Sequence, residues 1–498
     1  MRSALRAKTV EKRHHNGVTR ASASTANTST AKPAHVPNEI DYDAYWYDAW
    51  AAAKDAEQKM LRDEQATRRQ LAWWPKVFIY QLPRELSEGW NPGTATVEEV
   101  FGRTLQMLRS WDNATLNRNR HPPNWWGNLS TNRRTAMSQN VRDTNHYGLA
   151  RALVYRLWKS RQYRTLDPAK ADLFLVPLLP LPKRGYVITN SCKNVTDKKL
   201  ASVLPYLTEA TAHKHLFILS KEHYEGSKCF GWWANPTGLF RRAQRLSYST
   251  MQPDNLRVDD YYPFERRGHV GPPSCNDLFT HPDCPVYPNA ADAPYPSNVH
   301  WPPVSSARAV DTPPWADDTV TRPYRMVFLG GVAHGDTKVR KRIHRQCTSY
   351  RDANKCVLHR YTLSSLLLKY LSQFCLEPGG DSPFRRSITD SIAFGCIPVF
   401  FTGTQVDAYP WLWGDWRRAA SVRVNRTLFL AGKLDLHRLL GSAPPELVTL
   451  MRQTLKRHAR AFTISLADDP EDQLHLLMHG AVQAARRLEL ESNLSLAR

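Results

Sequence analysis

The chain has 498 residues, a net charge of +22 and 42% hydrophobic content, more than one hydrophobic core usually organises, so two or more domains are expected. The positive balance suits an anionic partner, but no long basic run and no zinc-finger, homeodomain, RNP or KH pattern occurs, which leaves nucleic acid the weakest choice. Eight cysteines without a CxxC exclude a disulfide scaffold and argue against a zinc site.

Residues 1–40 are rich in Ser, Thr, Ala, Arg and Lys and hold no apolar run suited to a signal peptide or anchor. They read as a disordered tail, with an organelle transit peptide as the alternative. In residues 41–75 the stretch Tyr42 to Gln70 places Tyr42, Trp46, Trp50, Ala53 and Met60 near helical spacing, a stem or interaction helix.

From Lys76 the pattern changes to short apolar runs separated by helical segments. KVFIY, DLFLVP, HLFIL, RMVFLG, QFCLE and IPVFF, beginning at Lys76, Asp172, His215, Arg325, Gln373 and Ile397, read as buried strands. Tyr147 to Arg161 and Thr362 to Ser372 read as amphipathic helices. The alternation implies parallel sheets and an α/β protein.

The proline-rich passage from Pro272 to Pro323 breaks this rhythm, so it is read as the crossing between two domains rather than a core element. The division expected is 76–323 for a first Rossmann-like domain, 324–473 for a second, and 474–498 for a C-terminal helix and tail. Glu446 to Glu489 reads as long helices, and no internal repeat occurs.

Two such domains facing each other make a cleft at the carboxyl ends of their strands. In the second, EPGGDSPFRRSITDSIAFGCIPVFF (Glu377 to Phe401) reads as strand, glycine loop, helix and strand. Ser382 followed by Pro383 is a helix-start signature. Arg385 and Arg386 then occupy the positive end of the helix dipole, where a cation is disfavoured by about 0.3–1 kcal/mol. They make sense if the site awaits a phosphate or pyrophosphate, which a guanidinium grips through paired hydrogen bonds. Asp390, one turn after Arg386, is either an acceptor for ribose hydroxyls or the partner of Arg386 in a solvated ion pair. A second junction, FLGGVAHGDTKVRKRIHRQC (Phe328 to Cys347), joins glycines to a basic helix carrying Arg340.

Cys347 with Cys356, or Cys275 with Cys284, would close short loops in an oxidising compartment, or the four are reduced packing residues. Cys375 and Cys396 are expected at opposite ends of the sheet and unpaired. Six N-x-S/T sequons, at Asn27, Asn113, Asn128, Asn194, Asn425 and Asn493, lean towards a secretory lumen.

Taken together, GGDSPFRRSITDSIAFGCIPVFF, VFIYQLP, RTLDPAKADLFLVP, PYPSNVH, FLGGVAHGDTKVRKRIHRQC and LSQFCLEPGGD resemble the exostosin-type glycosyltransferases of family 47, especially the plant branch with xyloglucan galactosyltransferases. The resemblance covers roughly Lys76 to Gln473 in the family's order. It implies a GT-B fold and inverting transfer from a UDP-linked sugar to a polysaccharide or glycoprotein glycan, with no metal or other cofactor. Family members work in the Golgi lumen. The resemblance therefore implies that location, with any membrane association carried by a segment outside this sequence. A catalytically inactive glycan-binding or scaffolding relative is the alternative.

By the same resemblance, Arg385, Arg386 and Arg340 bind the diphosphate, with Arg386 the choice for stabilising the leaving group. Asp390 holds the ribose or donor sugar, and Gly379, Gly380 and Ser382 shape the loop. His300 in PYPSNVH is the candidate base, weighed against a structural histidine, and Glu377 is read as supporting the fold. Gln81 and Thr402 depart from residues common in relatives, Asp and His. Trp411 and Trp413 are the acceptor-platform candidates among sixteen tryptophans, which include Trp125, Trp126, Trp232, Trp233 and Trp416.

Overall fold

In the computed structural model, the residues described are 41–105, 129–178, 196–222, 230–248, 290–303 and 312–496, except 88, 235, 334–335, 351, 353–354, 364, 381–384, 403–404, 406–408, 410 and 413–415. Helix α1 (Tyr42–Gln70) begins where Asp41 accepts hydrogen bonds from the Asp43 and Ala44 backbones. It buries Trp46, whose indole N–H donates to the Leu439 carbonyl, while Tyr45 donates to the Arg423 carbonyl. The helix is thereby docked on the second half of the chain.

The first sheet comprises β1 (Val77–Ile79), β2 (Arg164–Thr165), β3 (Leu173–Leu178), β4 (His215–Glu222), β5 (Gln244–Tyr248) and β6 (Ala290–Asp292). Its order is β2-β1-β3-β4-β5-β6, with every pair parallel. Helix α2 (Leu149–Lys159) packs Leu149, Leu153 and Leu157 onto it. The second sheet comprises β7 (Tyr324–Leu329), β8 (Cys356–His359), β9 (Ser372–Glu377), β10 (Ile397–Phe400) and β11 (Val422–Arg423), in the parallel order β11-β10-β9-β7-β8. Helices α3 (Thr337–Ser349) and α4 (Arg386–Ala393) follow β7 and β9. With residues buried on both faces, β3 and β10 read as continuous apolar runs. Two parallel sheets flanked by helices form a GT-B-like, two-domain α/β fold.

The chain crosses between lobes twice. The first crossing, 293–303, lies in the proline-rich passage read as a link rather than a core element, and burial corrects the second half of that reading: Tyr295, Asn298, Val299, His300 and Trp301 are all buried. Asn298 accepts at its carbonyl from the Arg142 backbone and His300 donates its backbone N–H to the Asn140 carbonyl, so the segment is stitched antiparallel to 140–142. The second crossing follows α5 (Pro445–His458), and α6 (Gln473–Leu496) returns to pack on the first sheet. Arg156 of α2 fastens this crossing through Asp468 and Asp472, at 3.3 and 3.4 Å, while Arg460 pairs with Asp469 at 2.7 Å.

Two disulfides lie in the second lobe. Cys347–Cys356 closes the short loop anticipated as one option. Cys375–Cys396 overturns the expectation that these residues are far apart. β10 starts level with Phe374, in the middle of β9, so Cys396 lies beside Cys375 with a Cα separation of 5.8 Å. Cys275 and Cys284 lie outside the described residues. Among the described residues, no helix is long and apolar enough to cross a membrane.

Candidate active site

The glycine loop after β9 is held from below by a buried ion pair. Lys369 donates to Glu377 at 2.6 Å, to the Ser391 hydroxyl at 2.6 Å, and to the carbonyl and hydroxyl of Ser387 at 2.7 and 2.8 Å. Both charges are nearly inaccessible. Such a pair is favourable only when its remaining donors and acceptors are satisfied, and here Ser387 and Ser391 do so. Glu377 thus supports the fold, and the contact fixes the first turn of α4 relative to β9.

Helix α4 starts later than the Ser-Pro signature suggests. Ser382 and Pro383 lie outside the described residues, and Arg385, with extended backbone at φ −145° and ψ 145°, occupies the N-cap. Among the described residues, no side chain caps the helix, so the first-turn N–H groups at its positive end have no side-chain acceptor there. The extended conformation carries the Arg385 side chain back over Gly380, where a Cβ would fall inside the guanidinium. The missing Cβ of glycine there leaves room for the guanidinium, a matter of close approach rather than of backbone angle.

Arg386 begins α4 and is half-buried. Its Nε donates to the Tyr361 hydroxyl at 3.2 Å, and one terminal nitrogen donates across the cleft to the Thr144 carbonyl. Burial alone would lower its pKa, but the Tyr361 hydroxyl and the Asp390 carboxylate more than reverse that and hold it charged. Neither arginine is splayed into bulk water. Arg386 lies where the lobes meet, and Arg385 covers the loop.

Three expected ligand contacts are instead structural. Asp390 is fully buried. One of its oxygens accepts from the Ser297 hydroxyl at 3.1 Å and the Asn298 backbone at 2.8 Å; the other accepts from the Asn298 amide at 2.9 Å and the Tyr361 hydroxyl. With both oxygens occupied it latches the first crossing to α4 and has no room for a ribose. It reaches Arg386 only through Tyr361, so the solvated ion pair is also ruled out.

Arg340 of α3 directs its Nε to the Gly379 carbonyl and one Nη to the Gly331 carbonyl, both at 2.8 Å. It is 7% exposed, which corrects its assignment to the diphosphate: it clamps the two glycine junctions together. Asp336 caps α3 and pairs with Arg426 at 3.3 Å, anchoring the same region.

His300 is sealed off as well. One ring nitrogen is 2.9 Å from the Ile464 carbonyl, the other 2.8 Å from the Thr144 hydroxyl, and Phe101 packs edge-on. Burial pushes its pKa down to about 4. The residue is therefore a packing histidine that holds Thr144, the residue whose carbonyl receives Arg386, and not a base in contact with substrate.

The Trp411 ring lies against Gly480 of α6, so closely that a Cβ at 480 would strike it, and the residue is half-buried. Trp413, Trp125 and Trp126 lie outside the described residues. Trp232, Trp233 and Trp416 are buried packing residues, the last stacked on His458. Tyr361, Thr144 and Lys369 carry no local signal of a role at the site, save that Lys369 is a lone charge in the apolar run LLLKYL.

Glycines at the end of a strand, a helix N-terminus and two guanidinium groups near the meeting of two lobes can bind a diphosphate and stabilise charge developing on it. Residues 74–433 match the Exostosin GT47 domain. The chain is 30% identical over 432 residues to "Probable xyloglucan galactosyltransferase GT17" of Arabidopsis thaliana, covering 82% of this chain and 83% of that protein. From the same organism, "Probable xyloglucan galactosyltransferase GT13" is 39% identical over 87 residues, 17% of this chain and 19% of the relative. "Xyloglucan-specific galacturonosyltransferase 1" is 33% identical over 123 residues, 22% of this chain and 18% of the relative. In both shorter matches the chain spans about a fifth of the relative's length.

Proposed function

The chain belongs to the exostosin GT47 family of glycosyltransferases, and from that premise we propose that it transfers a sugar from a UDP-linked donor to a polysaccharide or glycoprotein glycan, inverting the anomeric centre. The observation that carries the reading is the placement of Arg385 and Arg386 at the start of α4.

In the proposed reaction the acceptor hydroxyl attacks the anomeric carbon as the bond to the diphosphate oxygen breaks, and the hydroxyl's proton is released to solvent water. The electron pair of that bond leaves with the diphosphate. Arg385, Arg386 and the N–H groups of the first turn of α4 receive the developing negative charge through fixed dipoles and cations, which act strongly where water is excluded. These groups supply the electrostatic stabilisation that a bound metal supplies elsewhere, so the proposed reaction is metal-independent. Arg340, Lys369 and Asp390 hold the arrangement in place without touching substrate. The relatives' names make a xyloglucan-type acceptor and a galactosyl or galacturonosyl donor the first to try.

Two disulfides in the second lobe favour an oxidising compartment, in keeping with a Golgi lumen. The test is calorimetry with UDP followed by a panel of UDP-sugars assayed for hydrolysis and transfer in the presence of chelator. Binding of UDP with turnover of one or more donors is expected. Silence towards UDP, with steeply salt-dependent DNA binding, would sink the proposal, and UDP binding without turnover would leave a glycan-binding relative.

A further inference from the structure

A cavity of about 350 Å³ in the first lobe is untouched by the donor machinery. Its inner wall is the carboxyl end of β1 at Ile79 and Tyr80, together with Pro177 near the end of β3. The flank of α2 forms a second wall through Val154 and Trp158, and the loop carrying Gln81, Trp90 and Asn91 forms the third.

The chemistry of these walls is selective. Trp90 and Trp158 are half-buried, so each keeps part of its surface accessible. The Arg164 guanidinium stacks over one face of the Trp158 ring, 3.6 Å from its centroid, and holds that indole in place. Gln81 and Asn91 are exposed planar amides with donors and acceptors to offer. Among the described residues, the indole N–H of Trp90 is buried without a hydrogen-bond partner. A buried donor left unmade costs about 1–3 kcal/mol, so the position favours a ligand that brings an acceptor. None of the described lining residues is acidic, and Arg84 is the one charged residue among them.

Aromatic faces for C–H surfaces, amides for vicinal hydroxyls and a free indole donor together describe a pyranose-binding site. We propose that this cavity is a subsite for the acceptor glycan, holding a sugar ring remote from the reacting hydroxyl, with Trp90 and Trp158 as its faces and Gln81 and Asn91 as its hydroxyl partners. The proposal rests on the transferase reading for its role, though not for its chemistry. Along α2, Val154 and Trp158 lie roughly 8 and 14 Å from the helix start, the end nearest Thr144 and Arg386. A ring in the cavity and a hydroxyl reacting beside Arg386 therefore belong to different sugars of one chain.

The experiment is calorimetric titration of the full chain with neutral xyloglucan, xylan and galactomannan oligosaccharides, and separately with UDP. At least one oligosaccharide is expected to bind. Trp158→Ala and Gln81→Ala should each weaken it about tenfold, ~1.4 kcal/mol, with UDP affinity held within about twofold. Trp90→Phe, which keeps a ring and removes the donor, should weaken it as well. If Trp158→Ala does not fold, Gln81→Ala and Asn91→Ala decide, since both side chains are exposed. Failure of all three oligosaccharides to bind overturns the proposal, as does unchanged affinity in the folded variants. Oligosaccharide binding that depends on these residues in a chain indifferent to UDP supports the cavity assignment while removing the transferase reading.

Discussion

The Asp390 carboxylate accepts the backbone N–H of Asn298 at 2.8 Å, tying the middle of α4 to the segment through which the chain first crosses between lobes. Four donors converge on this one buried group. Asp390→Ala leaves all of them without an acceptor, and a loss of ~3 kcal/mol or more in denaturant stability is expected. A residue that bound ribose would instead raise the donor KM with stability unchanged, so chemical unfolding alongside donor kinetics distinguishes the two roles.

Arg386 is the group assigned to the departing diphosphate. Arg386→Ala should lower the rate of transfer by at least tenfold, a barrier increase of ~1.4 kcal/mol, and Arg386→Lys should recover only part of it because a point charge lacks the paired donors. Single-turnover measurements at saturating donor report this directly. Full activity in the alanine variant contradicts the role.

Gly380→Ala places a methyl group where the Arg385 guanidinium lies. The obstructing atoms are the far end of a flexible side chain, so Arg385 swings away and the fold survives. A donor KM raised several-fold, roughly 1 kcal/mol, is expected with little change in melting temperature. A large loss of stability with unchanged KM would show that the loop, not the arginine, needs the glycine.

His215, His300 and His475 are buried, and burial pushes each pKa down to about 4. Folding therefore favours the neutral ring. The stability this represents is present above pH 6.5 and is lost as pH falls towards 4, at most about 3 kcal/mol for each histidine. Asp472, pushed up to about 7 by burial, acts in the opposite sense, its contribution lost as pH rises through that value. Three histidines outweigh one carboxyl, so melting temperature should fall between pH 6.5 and 4.5. A flat profile would contradict the assignment.

The disulfide between Cys375 and Cys396 closes a ring of chain around the whole donor loop and α4, with a sequence separation of 21. Replacing both with Ser should lower stability by ~3 kcal/mol on a chain-entropy estimate. Non-reducing peptide mapping should recover the two cysteines in one linked fragment.

Much of the second lobe was legible in the sequence because its strands are apolar runs and the donor unit carries glycines and arginines in a short span. β5 was not, since QRLSY looks polar. Gln244 is buried because its amide donates to the His213 carbonyl, and Arg245 because it donates to the Trp233 carbonyl. β6, three residues long, offers no periodicity to read. The parts played by Asp390 and Arg340 were hidden for a different reason. Each resembles a ligand-binding residue locally, and its true partners, Asn298 and Tyr361 for one, Gly331 and Gly379 for the other, come from other segments that only the fold brings together. Register hid the Cys375–Cys396 bond, because the sequence does not say where along β9 the next strand begins.

Helix α1 is bolted by Tyr45 and Trp46 to carbonyls of the second lobe, although it precedes the first lobe in the chain. A leash fastened ahead of Tyr42 would consequently grip the lobe proposed to take the nucleotide sugar. The jaw left to swing towards a passing polymer would be the other one.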